Sequence, residues 1–505
     1  MFSTMKSAKN GNGSGNGALS PSAQAKQTAA QAQHDAPAEG AAETQIEYET
    51  PDGMVVGGLP LNITRYAAVF ELYSPTVTPQ SSESLSNFKI VLRKRPLYAG
   101  HAVVANVLVT GLKTICEVTL NEQGWTDVTL DVQDFSPAKM AADFHQFVKE
   151  WQKFHLVGRD YKVAVSNLQT FLADLQIWLQ QVELEIRNAP EARRRQWESE
   201  IISSLREPVL VSLKSLFENF EEVSFKVPPA LRPAHRAFGR RQLHPYFLCA
   251  PFFHRTFTKP LGFAGDYEMM SMIIRNQAEG ESIFAKLVNS YLLDHGPCRA
   301  VRNRAKFLTV KIGDEVNRVT REGRAANIFC IACGPAWEAV EFIANHPLAD
   351  NACFNLLDFN EETLRYTGRK MDEVRQQHHR KTQVKLIKNS VQNLLRARGR
   401  TPVTNGGYDL IYCSGLYDYL SDSVCRALNS HLYDLLAPGG MMVVGNFATS
   451  TPGQNLMEHL MEWFLIYRDD RQLAGLAPEQ AAPDDCVVRS EPSGANFFLE
   501  IRKPR

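Results

Sequence analysis

The stretch IFCIACGPAWE, Ile328 to Glu338, decides how the C-terminal half of this chain is read. An apolar run ends in a turn of small residues (Ala332, Cys333, Gly334, Pro335, Ala336), and a helix-compatible segment follows. That is the sequence form of a first strand, ligand loop and first helix in a doubly wound α/β domain. Small side chains let the backbone of such a loop approach a ligand closely. The full GxGxxG spacing is absent, because Ala332 and Ala336 stand at glycine positions. This weighs against a dinucleotide whose pyrophosphate sits on the helix N-terminus.

Further strands follow in order. CFNLLDF, Cys353 to Phe359, reads as a second buried strand ending in Asp358. An acid about 20 residues beyond the glycine loop, at a strand's carboxyl end, can accept hydrogen bonds from both hydroxyls of a ribose. QVKLIKNSV reads as strand three, with Asn389 and Ser390 at its end, and GYDLIYCSGLYDYL, Gly407 to Leu420, as strand four running into a polar and aromatic loop. LLAPGGMMVVGNF, Leu435 to Phe447, reads as a helix end, a Pro-Gly-Gly turn and strand five. Strands alternating with helical stretches predict a parallel sheet with its ligand at the carboxyl ends of the strands.

Five such elements, with the ACGPA loop, resemble the class I S-adenosylmethionine (SAM) methyltransferases over residues 327–505. The resemblance implies SAM as cofactor. Its methionine part would lie along Ala332, Cys333, Gly334, Pro335 and Glu338, its ribose at Asp358, and its adenine beside Asn389 or Ser390. Ser414 to Tyr417 would face the reacting methyl group. The family's frequent acid at the end of strand one is Cys330 here, so Glu338 or a backbone carbonyl is expected to meet the SAM ammonium.

Composition sets bounds. The 505 residues predict two to four domains. The balance of 55 basic and 55 acidic residues, with no long basic run, gives nucleic-acid or polybasic membrane binding no electrostatic support. Of nine cysteines only Cys330 and Cys333 are spaced as CxxC, with Cys330 inside a predicted buried strand, and no secretory signal leads the chain, so reduced thiols and a cytoplasmic location are expected. No apolar run reaches the roughly 18 residues of a membrane span, and no metal-ligand pattern is seen.

Residues 1–45, rich in Gly, Ser, Ala, Gln and Asn, predict a disordered tail. Residues 46–135 contain short alternating strands (YAAVFELYS, FKIVLR, HAVVANVLVTG, KTICEVTL) and predict a small β-barrel. It loosely resembles the PilZ domains that often bind cyclic di-GMP. Their RxxxR arm is reduced here to Arg93-Lys94-Arg95 and their [DN]xSxxG strand is missing, so a degenerate barrel is expected. Residues 136–240 carry apolar stripes at helical spacing, as in FHQFVKEWQKF and VSNLQTFLADLQIWLQQVELEI, which predict a helical hairpin or bundle able to pair with a second chain. Residues 241–505 then form the methyltransferase-like domain with an N-terminal helical cap.

The cap carries a second dense cluster. HRTFTKPLGFAGDYEMM, His254 to Met270, mixes aromatics, glycines and both charge signs, and CRAVRNRAKFL places Arg299, Arg302 and Arg304 ahead of the first strand. Loops of this composition are where binding sites concentrate. With ACGPAWE and the late MEWFLIYR (Met461 to Arg468), these strings resemble the bacterial extracellular-factor, or 3-hydroxypalmitic acid methyl ester, biosynthesis proteins. That resemblance implies methyl esterification of a 3-hydroxy fatty acid to a quorum-sensing signal. A carboxylate with a pKa of about 4 to 5 is ionised at neutral pH and needs no general base. Positioning residues are therefore expected: Arg304 or Arg302 as a carboxylate clamp, and Tyr267 and Tyr417 as donors. Phe263, Met269, Met270, Trp463 and Phe464 would supply an acyl channel. A hydroxyl or amine acceptor is the alternative enzyme reading, with His254 or Asp418 as base. The non-enzyme alternative is a cyclic-dinucleotide sensor on a degenerate methyltransferase scaffold.

Overall fold

The computed structural model describes residues 44–50, 53–72, 78–92, 95–110, 113–125, 157–396 and 407–505, and the single positions 141 and 145. The expected tail up to position 43, the expected helix at Phe144 to Phe154 and the Arg93 and Arg95 side chains lie outside them.

Six strands close into a barrel: β1 (Thr44–Glu49), β2 (Val55–Ile63), β3 (Ala67–Leu72), β4 (Ser84–Leu92), β5 (Arg95–Thr110) and β6 (Lys113–Leu120), in the order β1-β2-β3-β6-β5-β4. Closure removes the exposed edges that short strands would otherwise present. Period-two alternation turns Ile46, Tyr48, Phe70, Phe88, Ile90 and Tyr98 inward. The Phe70 and Phe88 rings meet at 5.8 Å, within the range of favourable tilted aromatic pairs.

The helical region begins with α1 (Arg159–Arg187) and α2 (Glu191–Phe225). The short connection at 188–190 makes them a hairpin. Tyr161, Val165, Leu168, Leu172 and Leu179 form the buried stripe of α1, as the spacing requires. The outer face also carries apolar residues, since Ile177, Trp178 and Leu184 are exposed. Beyond it come α3 (Arg232–Phe247), α4 (Pro251–Thr258), α5 (Tyr267–Arg275), α6 (Ile283–Asp294) and the long α7 (Gly296–Arg321). Phe217 of α2, Phe247, Phe253, Leu287 of α6, Leu460 and Trp463 belong to one continuous core, so helical region and cap pack as a single layer.

The C-terminal domain is the expected α/β architecture. Its strands are β7 (Ala326–Ile331), β8 (Ala352–Asp358), β9 (Gln383–Lys388), β10 (Tyr408–Cys413), β11 (Leu436–Phe447), β12 (Cys486–Ser490) and β13 (Asn496–Arg502), ordered β12-β13-β11-β10-β7-β8-β9. The helices between them are α8 (Trp337–Asn345), α9 (Glu361–Gln377), α10 (Val391–Arg396) and α11 (Asp422–Leu435). Cys330, Leu356 and Leu410 face α7 and α8, while Phe329, Leu357 and Ile411 face α11. A sheet covered on both faces needs continuous apolar strands, which is why these runs do not alternate with polar residues.

Two details differ from the sequence reading. The sheet is mixed and has two further strands: β13 runs antiparallel to β11 and β12 antiparallel to β13. Only a five-residue turn joins that pair, too short for the crossover that a parallel connection requires. Pro438-Gly439-Gly440 lies inside β11 as an irregularity: Tyr408 aligns with Leu436 and Leu410 already with Met441, and Gly439 takes φ 75°. Among the described residues no helix is long and apolar enough to cross a membrane, and all nine cysteines are free thiols.

Candidate functional site

Strand order reverses between β7 and β10, and the carboxyl ends of that pair open the crevice where doubly wound sheets bind ligands. The loop 332–336 leaves β7 here. Three of its five residues have left-handed backbone: Ala332 (φ 51°), Gly334 (φ 51°) and Ala336 (φ 48°). For the alanines this costs roughly 1–2 kcal/mol each. The loop is fastened on its β8 side: Cys333 N–H donates to Leu357 O (2.9 Å), Gly334 N–H to Asp358 Oδ2 (3.1 Å), and Thr367 Oγ1 to Gly334 O (2.6 Å). On the other side it is bare, since a Cβ at Gly334 would meet nothing within 4 Å. Strain held in a loop that borders open space is a mark of functional sites.

Asp358 is buried at the end of β8 and also accepts from Asn360 N–H (2.9 Å). Burial raises its carboxyl above the usual range, against the pull of these backbone donors. Backbone amides of Asn360, Gly334 and Phe359 donate to the carboxylate, and its remaining acceptor capacity is open to an incoming hydroxyl. The Asn389 N–H donates to Asp358 O (3.1 Å), which brings Asn389 and Ser390 beside the loop. Ser390 Oγ then accepts from Asn393 N–H (3.2 Å) at the start of α10.

On the β10 side Arg304 reaches in from α7. It is 6 % exposed, its guanidinium lies over the Phe447 ring (5.5 Å), and its Nη1 is 3.6 Å from Asp418 Oδ2. That ion pair is beyond hydrogen-bond length, and Arg304 Nε and Nη1 have no hydrogen-bond partner. Gly415 leaves the room, since a Cβ there would stand 2.8 Å from Arg304 Nη2. Asp418 Oδ1 accepts from Phe447 N–H (2.7 Å), and burial pushes its carboxyl up to about 6 although Arg304 pulls it down. Glu338, in the first turn of α8, is also buried and its carboxyl is raised by burial, with Arg304 among the groups opposing the rise. Trp337 Nε1 beside it is buried without a partner. Unpaired buried donors of this kind are costly unless a ligand completes them.

Arg468 holds the β10 loop in shape. It is 2 % exposed and donates to Tyr417 O (2.8 Å), Leu420 O (2.6 Å), Asn446 Oδ1 and Asp422 Oδ1. Arg468→Ala leaves the Tyr417, Leu420 and Asn446 acceptors buried and unfilled, while the half-exposed Asp422 returns to water. It is expected to destabilise the chain by about 3 kcal/mol, from unfilled buried acceptors at roughly 1 kcal/mol each, measurable as a lower midpoint of denaturant unfolding.

The cap closes over the crevice. Asp266 caps α5 by accepting from Met269 N–H (2.8 Å) and takes both bonds from Arg255 Nε (2.9 and 3.0 Å). Tyr267 donates to Glu362 Oε1 (2.7 Å) and lies 4.6 Å from the Tyr366 ring; burial and that carboxylate push its phenol up to about 12. Phe263 packs on Phe359 at the end of β8 (5.2 Å). Tyr419 Oη donates to Ala264 O (3.3 Å) and accepts from Trp463 Nε1 (2.8 Å), joining cap loop, β10 loop and the segment after α12 (Gln454–Leu460).

Ala332, Cys333, Gly334, Pro335 and Glu338 thus follow the carboxyl end of β7, Asp358 ends β8, Asn389 and Ser390 follow β9, and Ser414 follows β10 with Arg304 beside Gly415, while Phe263, Tyr267, Met270 and Trp463 reach this end from the cap side. The structure sends others elsewhere, Phe464 among them, whose buried ring lies under the Arg236 guanidinium of α3. Tyr417 donates to Asn429 in the core under α11. Arg302 donates to Ile273 O (3.1 Å) and Leu293 O (2.8 Å), tying two helix ends. His254 is exposed on α4. Tyr419 and Arg468 were not singled out from sequence, and Gly415 only as part of the Ser414 to Tyr417 segment. A lone arginine closing the apolar run MEWFLIYR was the available sign for Arg468.

Residues 260–455, under half of the chain, match the model of a family described as "Putative methyltransferase". No curated protein matches the sequence. Among solved structures, a Bordetella parapertussis protein described as a possible exported protein is 16 % identical, covering 55 % of this chain and all of its own, at a TM-score of 0.39. Magnesium protoporphyrin IX methyltransferase from Synechocystis PCC 6803 is 15 % identical, covering 41 % of this chain and 86 % of its own, at 0.29. An O-methyltransferase family protein from Burkholderia thailandensis is 16 % identical, covering 43 % and 62 %, also at 0.29.

Proposed function

We propose that this chain is a SAM-dependent carboxyl O-methyltransferase that converts a 3-hydroxy fatty acid to its methyl ester, a diffusible signal, in the cytoplasm. The observation that carries the reading is the crevice between β7 and β10. A strained loop bare at Gly334 stands on one side, and a buried arginine with two unfilled donors on the other. The residues fit SAM: Glu338 offers a carboxylate to its ammonium, Gly334 a side-chain-free approach, and Asp358 spare lone pairs to its ribose. Asn389 and Ser390 offer polar edges to its adenine. When bound, SAM supplies a methyl group on a positively charged sulfur.

Arg304 would orient the acceptor carboxylate through its guanidinium, a planar group of five donors of which Nε and Nη1 make no hydrogen bond here. Asp418 tempers the clamp, which must release a neutral ester. A carboxylate acceptor is already ionised at neutral pH, so the residues would only have to hold it in line with the methyl group, and none would have to take a proton. Tyr419 and the cap loop exclude water, and fixing the two reactants in line supplies much of the rate.

Calorimetry tests the cofactor: SAM is expected to bind and cyclic di-GMP not to. Binding of cyclic di-GMP alone would favour the sensor reading. Organic extracts of cells with and without the chain, compared by mass spectrometry, test the product.

A hydroxyl acceptor is the second reading, favoured by one observation: Asp418, with its carboxyl near 6, is buried beside the clamp. The two readings separate on Asp418→Asn. A carboxylate acceptor predicts that kcat is flat above about pH 7 and that the variant keeps most activity. A hydroxyl acceptor predicts a tenfold fall per pH unit below about 6 and a loss of about 10²-fold or more in the variant.

A further inference from the structure

Two segments flank the crevice: the cap loop 259–265, whose Phe263 packs on Phe359 at the end of β8, and the stretch 461–465, whose Trp463 donates to Tyr419. Both are fastened from behind to the barrel. Ser84 N–H donates to Gly262 O (2.7 Å), and Glu83 pairs with Phe263 as an antiparallel bridge. Ser82 Oγ donates to Phe464 O (2.9 Å) and accepts from Phe464 N–H. Thr119 Oγ1 donates to Glu462 Oε1 (2.8 Å), whose carboxylate also pairs with Arg240. Ser82 and Thr119 are buried. The mouth segments are held in left-handed backbone at Glu462 (φ 51°) and Lys259 (φ 47°). Lys259, itself buried, donates to Met461 O (3.2 Å) and so ties one segment to the other. Such backbone persists only where surrounding contacts over-determine it.

We infer that the barrel is a specificity element of the acceptor site, with Ser82, through the backbone of residue 464, and Ser84 as positioning residues that set where Trp463 and Phe263 stand. The inference rests on the methyltransferase reading for what the mouth admits: the apolar tail of the acceptor. An appended module would need only a tether. This barrel instead directs buried polar groups from three places, Ser82, Ser84 and Thr119, at the two segments that border the tail's path. Burying polar groups is unfavourable unless each is paired, so these pairings fix the register of barrel against mouth.

Ser84 permits a clean test. Just before Ser84 the barrel ladder uses Ser82 N–H to Val104 O (2.8 Å) and Val104 N–H to Glu83 O (2.8 Å), while Ser84 N–H leaves the ladder for Gly262. Proline is tolerated in a strand where the N–H is not part of the ladder. Ser84→Pro therefore removes the bond to the cap loop, and Ser84→Ala, which keeps the N–H, is its control. In the full-length chain, Ser84→Pro is expected to leave SAM affinity within about twofold of wild type. Amide exchange in 259–265 should rise by about tenfold or more. KM for 3-hydroxy fatty acids should rise with acyl length, by about fivefold for the longest of a graded series, with kcat little changed. Ser84→Ala should match wild type. Should Ser84→Pro fail to fold, Thr119→Val is read in the same way, with exchange followed in 461–465. Wild-type exchange and wild-type KM in these variants would overturn the inference. Absence of SAM binding to wild type would defeat the enzyme reading instead, and the exchange measurement would still report whether the barrel holds the mouth.

Discussion

Arg304→Ala is expected to lower kcat for methyl transfer by about 10²-fold or more while SAM affinity changes by less than about threefold. The asymmetry follows from where the free donors are. Nε and Nη1 are buried without a hydrogen bond beside Gly415, Nη1 facing Asp418 at 3.6 Å, on the β10 side of the crevice, whereas the loop at Gly334 and Asp358 lies on the β7–β8 side. Removing the guanidinium also leaves Asp418 buried without its cation, which costs about 3–5 kcal/mol if the acid stays charged. Asp418 need not stay charged, because burial already pushes its carboxyl up to about 6 and loss of Arg304 raises it further. The folded variant then holds a proton that the unfolded chain releases at lower pH. Its stability relative to wild type therefore falls as pH rises through and beyond 6, and the defect is larger at pH 8 than at pH 5.5. Unfolding midpoints at the two pH values check that sign. Arg304→Lys should recover part of the stability through its charge but little turnover, since an ammonium lacks the planar fork. Turnover by Arg304→Ala at the wild-type rate would remove Arg304 from the site. Equal losses of SAM affinity and turnover would move it to the cofactor's carboxylate.

What was legible in the sequence had local causes. The β7 loop announces itself because a strand, a turn of small residues and a helix start lie within eleven positions, Ile328 to Glu338. Asp358 followed from spacing along the next strand, and the barrel from alternation. The tyrosines were harder. Tyr417 and Tyr419 sit two apart in one 3-10 turn (Leu416–Tyr419), yet one hydroxyl enters the core at Asn429 and the other meets Ala264 and Trp463. Only the clamp of Arg468 on the surrounding carbonyls decides which is which, and no local pattern encodes it. Arg302 and Arg304 on α7 pose the same problem. Two positions apart on a helix point to different faces, and which face meets the crevice depends on how α7 packs on the sheet. The ion pair with Asp418 joins residues far apart in sequence, so no motif could contain it. Contacts from barrel to cap use single serines and a threonine, which leave no periodic trace.

Gly334→Val should abolish SAM binding at concentrations where wild type saturates, a weakening of about 10²-fold or more. The position has φ 51°, where a β-branched residue is strained by roughly 1–2 kcal/mol, but no atom lies within 4 Å of the added Cβ. The empty protein can therefore fold around valine, with its hydrogen bonds from Gly334 N–H to Asp358 and from Thr367 to Gly334 O intact. Only a ligand occupying that space would meet the side chain. Gly334→Ala grades the effect: Ala332 and Ala336 already bear the same backbone at φ 51° and 48°, so a third alanine is structurally tolerable. Its expected cost is about 1 kcal/mol of stability and about tenfold in SAM affinity. Strain and occlusion are separated by Gly323→Ala. Gly323, in the turn between α7 and β7, has φ 80° and equally open surroundings but lies at the other end of the strand. That variant should lose similar stability and no SAM affinity. If it loses as much affinity as Gly334→Ala, the loop effect is one of folding. If Gly334→Val binds SAM as wild type does, the bare face of the loop is not where the cofactor lies.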